Sequence, residues 1–549
     1  MGTLGSIAAS ARQAASDKAF EVKVLHRAGV AALHRPDKAM KVVSALVRWG
    51  ASPALGITTA AIHHPHETAL IDERGSLTFE QLQRRTNALA HAFERMGIGY
   101  GDGIGIMCRN HRGFIEATLA AAKLGASALY LNTMFAGPQL VEVTRREGPR
   151  VLVYDEEFTE LLDGVDPSVE RVVGWADGES EAPTLDSLIA SADDSDLKPP
   201  PDKPRFVILT SGTTGTPKGA QRSSPDGLFA LAALIDQIPY RSRDTMMIAA
   251  PLFHSWGFFH FVMSLPTAST IVLQRRFDPE GTLQVVEEHR AQVLGAVPVM
   301  LQRILQLPEE TLDKYDLSSL RITSLSGSSL PGELAIAWMD RFGDNIYNLY
   351  GSTEVAYATV ATPQELRAAP GTAGRAPRGT VVRLYDEVGC EVPHGEVGRI
   401  FVGNEMSFEG YTGGGGKDEI DGLLSSGDVG HLDAAGRLFI DGRDDEMIVS
   451  GGENVFPREV EDLLADHEAV VEAAVIGVED EEFGQRLKAF VVVAEGADVS
   501  EEDLKAYVKA HLAGYKAPRE VEFVDELPRN ATGKVLKREL HAREAEKSA

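Results

Sequence analysis

The sequence predicts an α/β fold: a large N-terminal part of two helix-flanked, mostly parallel sheets with a small β-rich subdomain, then a small α+β C-terminal domain. Three observations carry this. Short apolar stretches alternate with amphipathic ones beyond residue 65, as in βαβ units. The texture changes to short strands with frequent glycine between residues 371 and 442. Helices and strands alternate again after Arg443. These shifts divide the chain into a basic helical arm (1–50), a large domain (51–444) and a small domain (445–549), with a hinge at Asp445.

In chain order, Thr78-Phe79-Glu80-Gln81 is a capping box opening a helix to about Met96, and Gly97 sits where a C-terminal cap belongs. Gly103 to Met107 reads as a strand, Glu116 to Lys123 lies on a helix, and Ala128 to Leu131 is the next strand. Strands are expected again at Phe206 to Leu209, Met246 to Ala249, Thr270 to Leu273 and Val293 to Val297. Residues 176–204 are acidic and proline-rich and read as a surface connection without an element. In the C-terminal part, Pro457 to Leu464 is expected to be helical and Ala473 to Gly477 a strand.

Length and composition exclude several classes. The 549 residues, 43% of them hydrophobic, suffice for several packed cores. Two cysteines, Cys108 and Cys390, build neither a disulfide framework nor a four-thiolate zinc site, so a reducing cytoplasm is the expected home. A net charge of −27 disfavours nucleic acid as a partner. The charge is uneven: residues 1–50 hold eight basic and three acidic side chains, the remainder 46 and 78. No apolar run reaches the roughly 18 residues that a membrane span needs, and the N-terminus lacks the apolar core of a secretory signal. The arm reads as amphipathic helices, either packed on the acidic body or making peripheral contact with the inner face of a membrane.

Thr210-Ser211-Gly212-Thr213-Thr214-Gly215-Thr216-Pro217-Lys218-Gly219 follows an expected strand. Its glycines let backbone amides approach an anion, its hydroxyls donate to phosphate oxygens, and Lys218 adds a cation. The spacing differs from the usual P-loop, in which Gly-Lys opens a helix.

The stretch resembles the phosphate-loop signature of the adenylate-forming superfamily, which includes acyl-CoA synthetases, luciferases and peptide-synthetase adenylation domains. Further matches follow in order over roughly residues 65–540. Asn348-Leu349-Tyr350-Gly351-Ser352-Thr353-Glu354 resembles the adenine and magnesium motif, which implies Tyr350 against adenine, Thr353 at the α-phosphate and Glu354 on Mg²⁺. Ser426-Gly427-Asp428 with Gly442-Arg443 resembles the ribose clamp, with Ser426 and Leu424 departing from the family's usual threonine and aromatic. Pro251 to Phe258 resembles the element at the mouth of the acyl pocket, making His254 the candidate gate, and Ser326-Gly327-Ser328-Ser329 resembles the segment lining the adenine and acyl pocket. Ser450-Gly451-Gly452-Glu453-Asn454 resembles the pantetheine-tunnel loop, and Asn530-Ala531-Thr532-Gly533-Lys534 the loop with the catalytic lysine, Lys534.

The resemblance implies an ATP- and Mg²⁺-dependent ligase whose C-terminal domain turns between two steps: a carboxylate gives acyl-AMP and pyrophosphate, then coenzyme A takes the acyl group. The mainly apolar segment His254 to Met263 and the basic arm point to a medium-to-long chain fatty acid. A carrier protein as acceptor, an aromatic or other small carboxylate, luciferase-type chemistry and a non-catalytic nucleotide sensor stay open at this point.

Overall fold

Ile104, Ile106 and Met107 are fully buried, so their strand needs apolar cover on both faces, the condition of a parallel sheet between helices. The computed structural model of the chain describes residues 2–30, 36–202, 204–210, 218–222, 227–406, 408–412, 414–450, 453–480, 484–494, 496–530 and 533–548. In it Gly103–Met107 pairs in parallel with Ser127–Tyr130 on one side and Val151–Asp155 on the other. The seven strands of this sheet are ordered 408–411, 218–222, 206–210, 127–130, 103–107, 151–155 and 170–175, antiparallel only at the first two pairings. Helix Phe79–Arg95 begins at the expected Thr78/Gln81 capping box, and Gly97 follows in the left-handed region. Helix Arg112–Leu124 is buried along its whole length and ends on left-handed Gly125. Its N-cap, His111, accepts from the Gly113 amide and donates to buried Asp155 across 2.7 Å.

The second sheet has eight strands, ordered 359–361, 346–350, 322–325, 293–296, 245–248, 270–273, 68–72 and 75–78, with antiparallel pairs only at its two edges. Its inner strands are parallel, so their carboxyl ends share one edge, where doubly wound sheets collect their ligand-binding loops. Strands 381–385, 398–403, 419–420, 423–432 and 438–443 form a five-stranded antiparallel sheet, the β-rich part expected from the glycine pattern. A single 3₁₀ turn, Asp444–Glu446, leads to a fourth sheet of strands 448–450, 453–455, 470–480, 484–493 and 520–523. Ile448, Val460, Leu464, Val475, Val491 and Leu504 give that sheet a core of its own.

Two readings need correction. Residues 176–204 are not elementless: Leu185–Ala190 is a helix because Thr184 and Ser187 cap its first turn reciprocally and Leu185 is buried. Composition hid a local cap. The strand expected at Ala473 to Gly477 is also longer, Val470–Asp480, because it pairs along its length with Gly484–Val493.

The N-terminal arm forms α1 (Gly2–Arg27) and α2 (Pro36–Trp49), followed by α3 (Pro53–His63). Both arm helices pack on the body. Val24, Leu25 and Ala28 join the core under the eight-stranded sheet, while Ala45 and Trp49 join the core between the two large sheets. Arg27 pairs with Asp236 at 2.8 Å, and Asp17 with Arg378 at 2.9 Å.

Candidate active site

Strand Ile346–Tyr350 delivers Asn348 and Tyr350 to the carboxyl edge of the eight-stranded sheet, and the chain turns sharply at Gly351. A side chain at Gly351 would place its Cβ 2.1 Å from the Ala356 carbonyl oxygen, so only glycine fits. Ala356 itself sits at φ +61, strain that a tightly held loop tolerates. Within the loop Ser352 Oγ accepts from the Glu354 and Val355 amides and donates to the Glu354 carboxylate at 3.0 Å. Tyr411 donates to the other oxygen of Glu354 at 2.7 Å. Thr353 lies 3.3 Å from Ser255 through their hydroxyls.

Asp428 and Arg443 are cross-strand partners in the antiparallel sheet. Arg443 donates to one Asp428 oxygen at 3.2 Å and Tyr350 to the other at 2.6 Å. Burial together with Asp428 pushes the Tyr350 phenol well above its ordinary range, so it stays a donor. Two polar atoms near this cluster are buried with no hydrogen-bond partner among the described residues: Asn348 Oδ1 and His254 Nε2. Burial pushes the His254 ring down to about 4, so it is neutral at ordinary pH. A buried orphan acceptor or donor is costly unless a ligand completes it.

On the C-terminal side, Asn530 builds a tight turn. Its Oδ1 accepts from the Lys534 amide at 2.9 Å, and its own amide donates to the Lys534 carbonyl at 2.9 Å. Gly533, at φ +77, is where this turn meets the body, since a Cβ there would stand 2.2 Å from Val299 Cγ1. Lys537, one turn after Lys534, is bound by Glu446 at 3.1 Å and Glu461 at 2.8 Å.

A single cavity of about 1830 Å³ brings these pieces together. His254, Gly327, Ser328, Asn348, Tyr350, Gly351, Thr353, Glu354, Asp428, Arg443 and Lys534 all line it. Thr210 and Lys218 face each other as backbone partners of a hairpin, so the loop between them returns as a strand. Ser211, Gly212, Thr213, Thr214 and Gly215, like Gly451 and Gly452, lie outside the described residues. The cavity also has walls that the sequence reading did not assign. Tyr411 is one. Another is made by Val42 and Leu46 of α2 with Leu55, Gly56, Thr59 and Ala60 of α3; Gly56 meets Leu265 just past helix Ser255–Ser264, whose opposite end touches Thr353 through Ser255, so this is the far end. Neither carried a local signal, because both meet the site only through tertiary packing.

Residues 57–412 match the family of AMP-binding enzymes, and residues 459–534 match the C-terminal domain of AMP-binding enzymes. The chain belongs to that family. It is the family of the AMP-forming acid–thiol ligases, as the resemblance implied. This AMP-binding enzyme is 34% identical over 495 residues to a feruloyl-CoA synthase of Amycolatopsis sp, covering 87% of this chain and 96% of that one. It is 32% identical over 497 residues to a fatty acid–[acyl-carrier-protein] ligase of Streptomyces coeruleorubidus, covering 88% and 94%. Its fold is similar to the crystal structure of an anthranilate CoA ligase, AuaEII, in complex with anthranoyl-AMP, with a TM-score of 0.80 and 25% identity over 90% of this chain and 97% of that one.

Proposed function

We propose that this AMP-binding enzyme activates a medium-to-long chain fatty acid to acyl-AMP and passes the acyl group to coenzyme A. The observation that carries the reading is the polarity of this cavity. Thr353 and Glu354, with Asp428 and Arg443, lie toward the Ser255 end of helix Ser255–Ser264, while Val262, Met263 and Leu55 line the cavity toward the other end of that helix, where Gly56 meets Leu265. A molecule with a charged head and a long apolar tail fits that division.

The chemistry has to bring a carboxylate oxygen to an anionic α-phosphorus. That oxygen forms the new P–O bond as the bond to pyrophosphate breaks, and charge builds on the phosphoryl oxygens in the transition state. Lys534 and Thr353, with Lys218 and the Thr210 to Gly215 loop, are the groups we assign to that charge. Asp428 accepts from the ribose hydroxyls, Arg443 orients it, and Tyr350 lies against the adenine. Asn348 with Gly327 and Ser328 completes the base pocket, Asn348 Oδ1 being an acceptor still in want of a donor. Among the described residues each Glu354 oxygen has one donor, leaving lone pairs that suit a hard cation; Glu354 would hold Mg²⁺, which when bound supplies charge neutralisation at the phosphates. Neutral His254 closes the passage between head and tail. In the second step the thiolate attacks the acyl carbon and AMP leaves, with the Gly451 and Gly452 segment as the pantetheine contact.

A second reading, an aromatic acid, draws on Trp256 and Phe259, which stack nearly in parallel at 5.1 Å in the cavity wall. A screen of pyrophosphate release over fatty and aromatic acids, with and without coenzyme A, decides. Release with fatty acids and thioester formation with coenzyme A is the expected result. Release with aromatic acids alone overturns the fatty acid assignment, and transfer only to a carrier protein overturns the acceptor.

A further inference from the structure

Helix α2 presents two apolar faces, and only one of them is covered. Ala45 and Trp49 are buried against the body, whereas Met40, Val43 and Val47 are 73%, 61% and 84% exposed. Their spacing of three and four residues makes them one ridge along the helix. Val42 and Leu46 form the border between the faces. Both line the far end of the cavity, and Leu46 is at the same time 51% exposed, so the cavity reaches the surface at the foot of the ridge.

The arm that carries the ridge has a net charge opposite to that of the rest of the chain. Residues 1–50 have five more basic than acidic groups, while the remainder has 32 more acidic than basic ones. On α2 itself Lys38, Lys41 and Arg48 outnumber Asp37, and Lys41 is exposed beside Met40. An anionic surface would be repelled by the net charge of the body and attracted by that of the arm. A second copy docking ridge to ridge would set two basic arms against each other, since a twofold contact pairs like with like. Among the described residues no helix is long and apolar enough to cross a membrane, so the fitting mode is contact in the interfacial plane.

The geometry points to α2 as the docking face for an anionic lipid bilayer, seating the far mouth of the cavity on the hydrocarbon so that an apolar acid enters tail-last from the membrane. The entry route rests on the proposed acid-activating function; the docking itself is measured without substrate, so the two fail separately.

The test is co-flotation of the full-length protein with phosphatidylglycerol–phosphatidylcholine vesicles and with pure phosphatidylcholine vesicles. Wild-type protein is expected to float with the anionic vesicles and to be released as salt rises. The triple variant Met40→Glu, Val43→Glu, Val47→Glu should lower partitioning by about a hundredfold or more, with unchanged thermal melting. A second variant, Val47→Trp, should shift its emission to the blue on vesicle addition. Wild-type protein that stays in solution, a triple variant that floats like wild type, or a Val47→Trp emission unmoved by vesicles overturns the proposal. So does a concentration-dependent dimer that the triple variant abolishes, which would assign the ridge to a second copy.

Discussion

Tyr411 donates its hydroxyl proton to Glu354 across 2.7 Å, joining the edge strand of the seven-stranded sheet to the loop at the carboxyl edge of the eight-stranded one. The carboxylate is therefore aimed by both sheets at once. Its other oxygen is held within its own loop by Ser352.

If Glu354 holds Mg²⁺, Tyr411→Phe removes the partner that orients it while keeping the ring packed on Phe408. Loss of such a supporting hydrogen bond costs about 10–100-fold in metal affinity. The Mg²⁺ concentration for half-maximal pyrophosphate release should rise by about that factor. Thermal stability should change little. An unchanged Mg²⁺ requirement would show that Tyr411 only packs.

Asp428 accepts from a phenol and a guanidinium, so its loss takes one acceptor from each of two donors. Asp428→Ala should raise the KM for ATP by about 10–100-fold, from hydrogen bonds to a charged group worth about 1.5–3 kcal/mol. Asp428→Asn keeps one carbonyl oxygen and should fall between. A mutant with a normal KM for ATP but a low kcat would move Asp428 away from nucleotide binding.

His254 and His260 give the fold a pH dependence of definite sign. Burial pushes both rings down to about 4, whereas unfolded they titrate near their ordinary value of about 6.5. Between these limits the unfolded chain binds protons that the folded chain refuses. Stability is therefore full above about pH 6.5 and falls as pH drops toward 4, by about 1–3 kcal/mol per ring. Urea unfolding at neutral and mildly acid pH should show the loss, and His254→Gln should flatten it. A slope identical to wild type would mean that His254 protonates freely in the folded protein.

What could be read from the sequence is what lies close together in it. Asn348 to Glu354 is one loop whose residues act on one another, and its Gly351 is required by a carbonyl five residues on. Asp428 and Arg443, fifteen apart, are legible because antiparallel strands turn spacing into contact. Tyr411 and Glu354 are 57 apart in different sheets, and no period in the chain connects them. For α2, composition shows an amphipathic helix but cannot rank its apolar positions. Ala45 is buried and Val47 bare because the body happens to lie on one side.

Lys534 stands on a turn fixed by Asn530 and pressed against Val299 of the body, so its position in this orientation is set from both sides. In the role proposed for it at the α-phosphate, it would serve adenylation alone. Lys534→Ala should slow acyl-AMP formation by about 10²–10³-fold, the usual loss for one donor to a developing charge. Thioester formation from supplied acyl-AMP should stay within a few-fold of wild type. Equal losses in both half-reactions would remove Lys534 from this role.

The turn Asp444–Glu446 is the covalent link between the five-stranded sheet and the C-terminal sheet, and its far end is held by Lys537, one helical turn past Lys534. Lys534 and the Gly451 and Gly452 segment belong to the same C-terminal part, yet each is assigned to a different step at one reacting centre. A rotation about Asp445 would exchange them, and a rotation needs freedom in φ and ψ at the pivot. Proline fixes φ near −65°, a value typical of a 3₁₀ turn, so at the pivot itself Asp445→Pro suits the present orientation better than another, although it also presses Asp444 before it toward extended backbone. The present orientation is the one with Lys534 in the cavity. Asp445→Pro is therefore expected to keep carboxylate-dependent pyrophosphate release near the wild-type rate and to lose thioester formation, with acyl-AMP accumulating on the enzyme. Rapid-quench measurement of both half-reactions separates the outcomes: two wild-type rates would mean that the chain does not turn at Asp445, and loss of adenylation as well would mean that proline disturbs the turn itself.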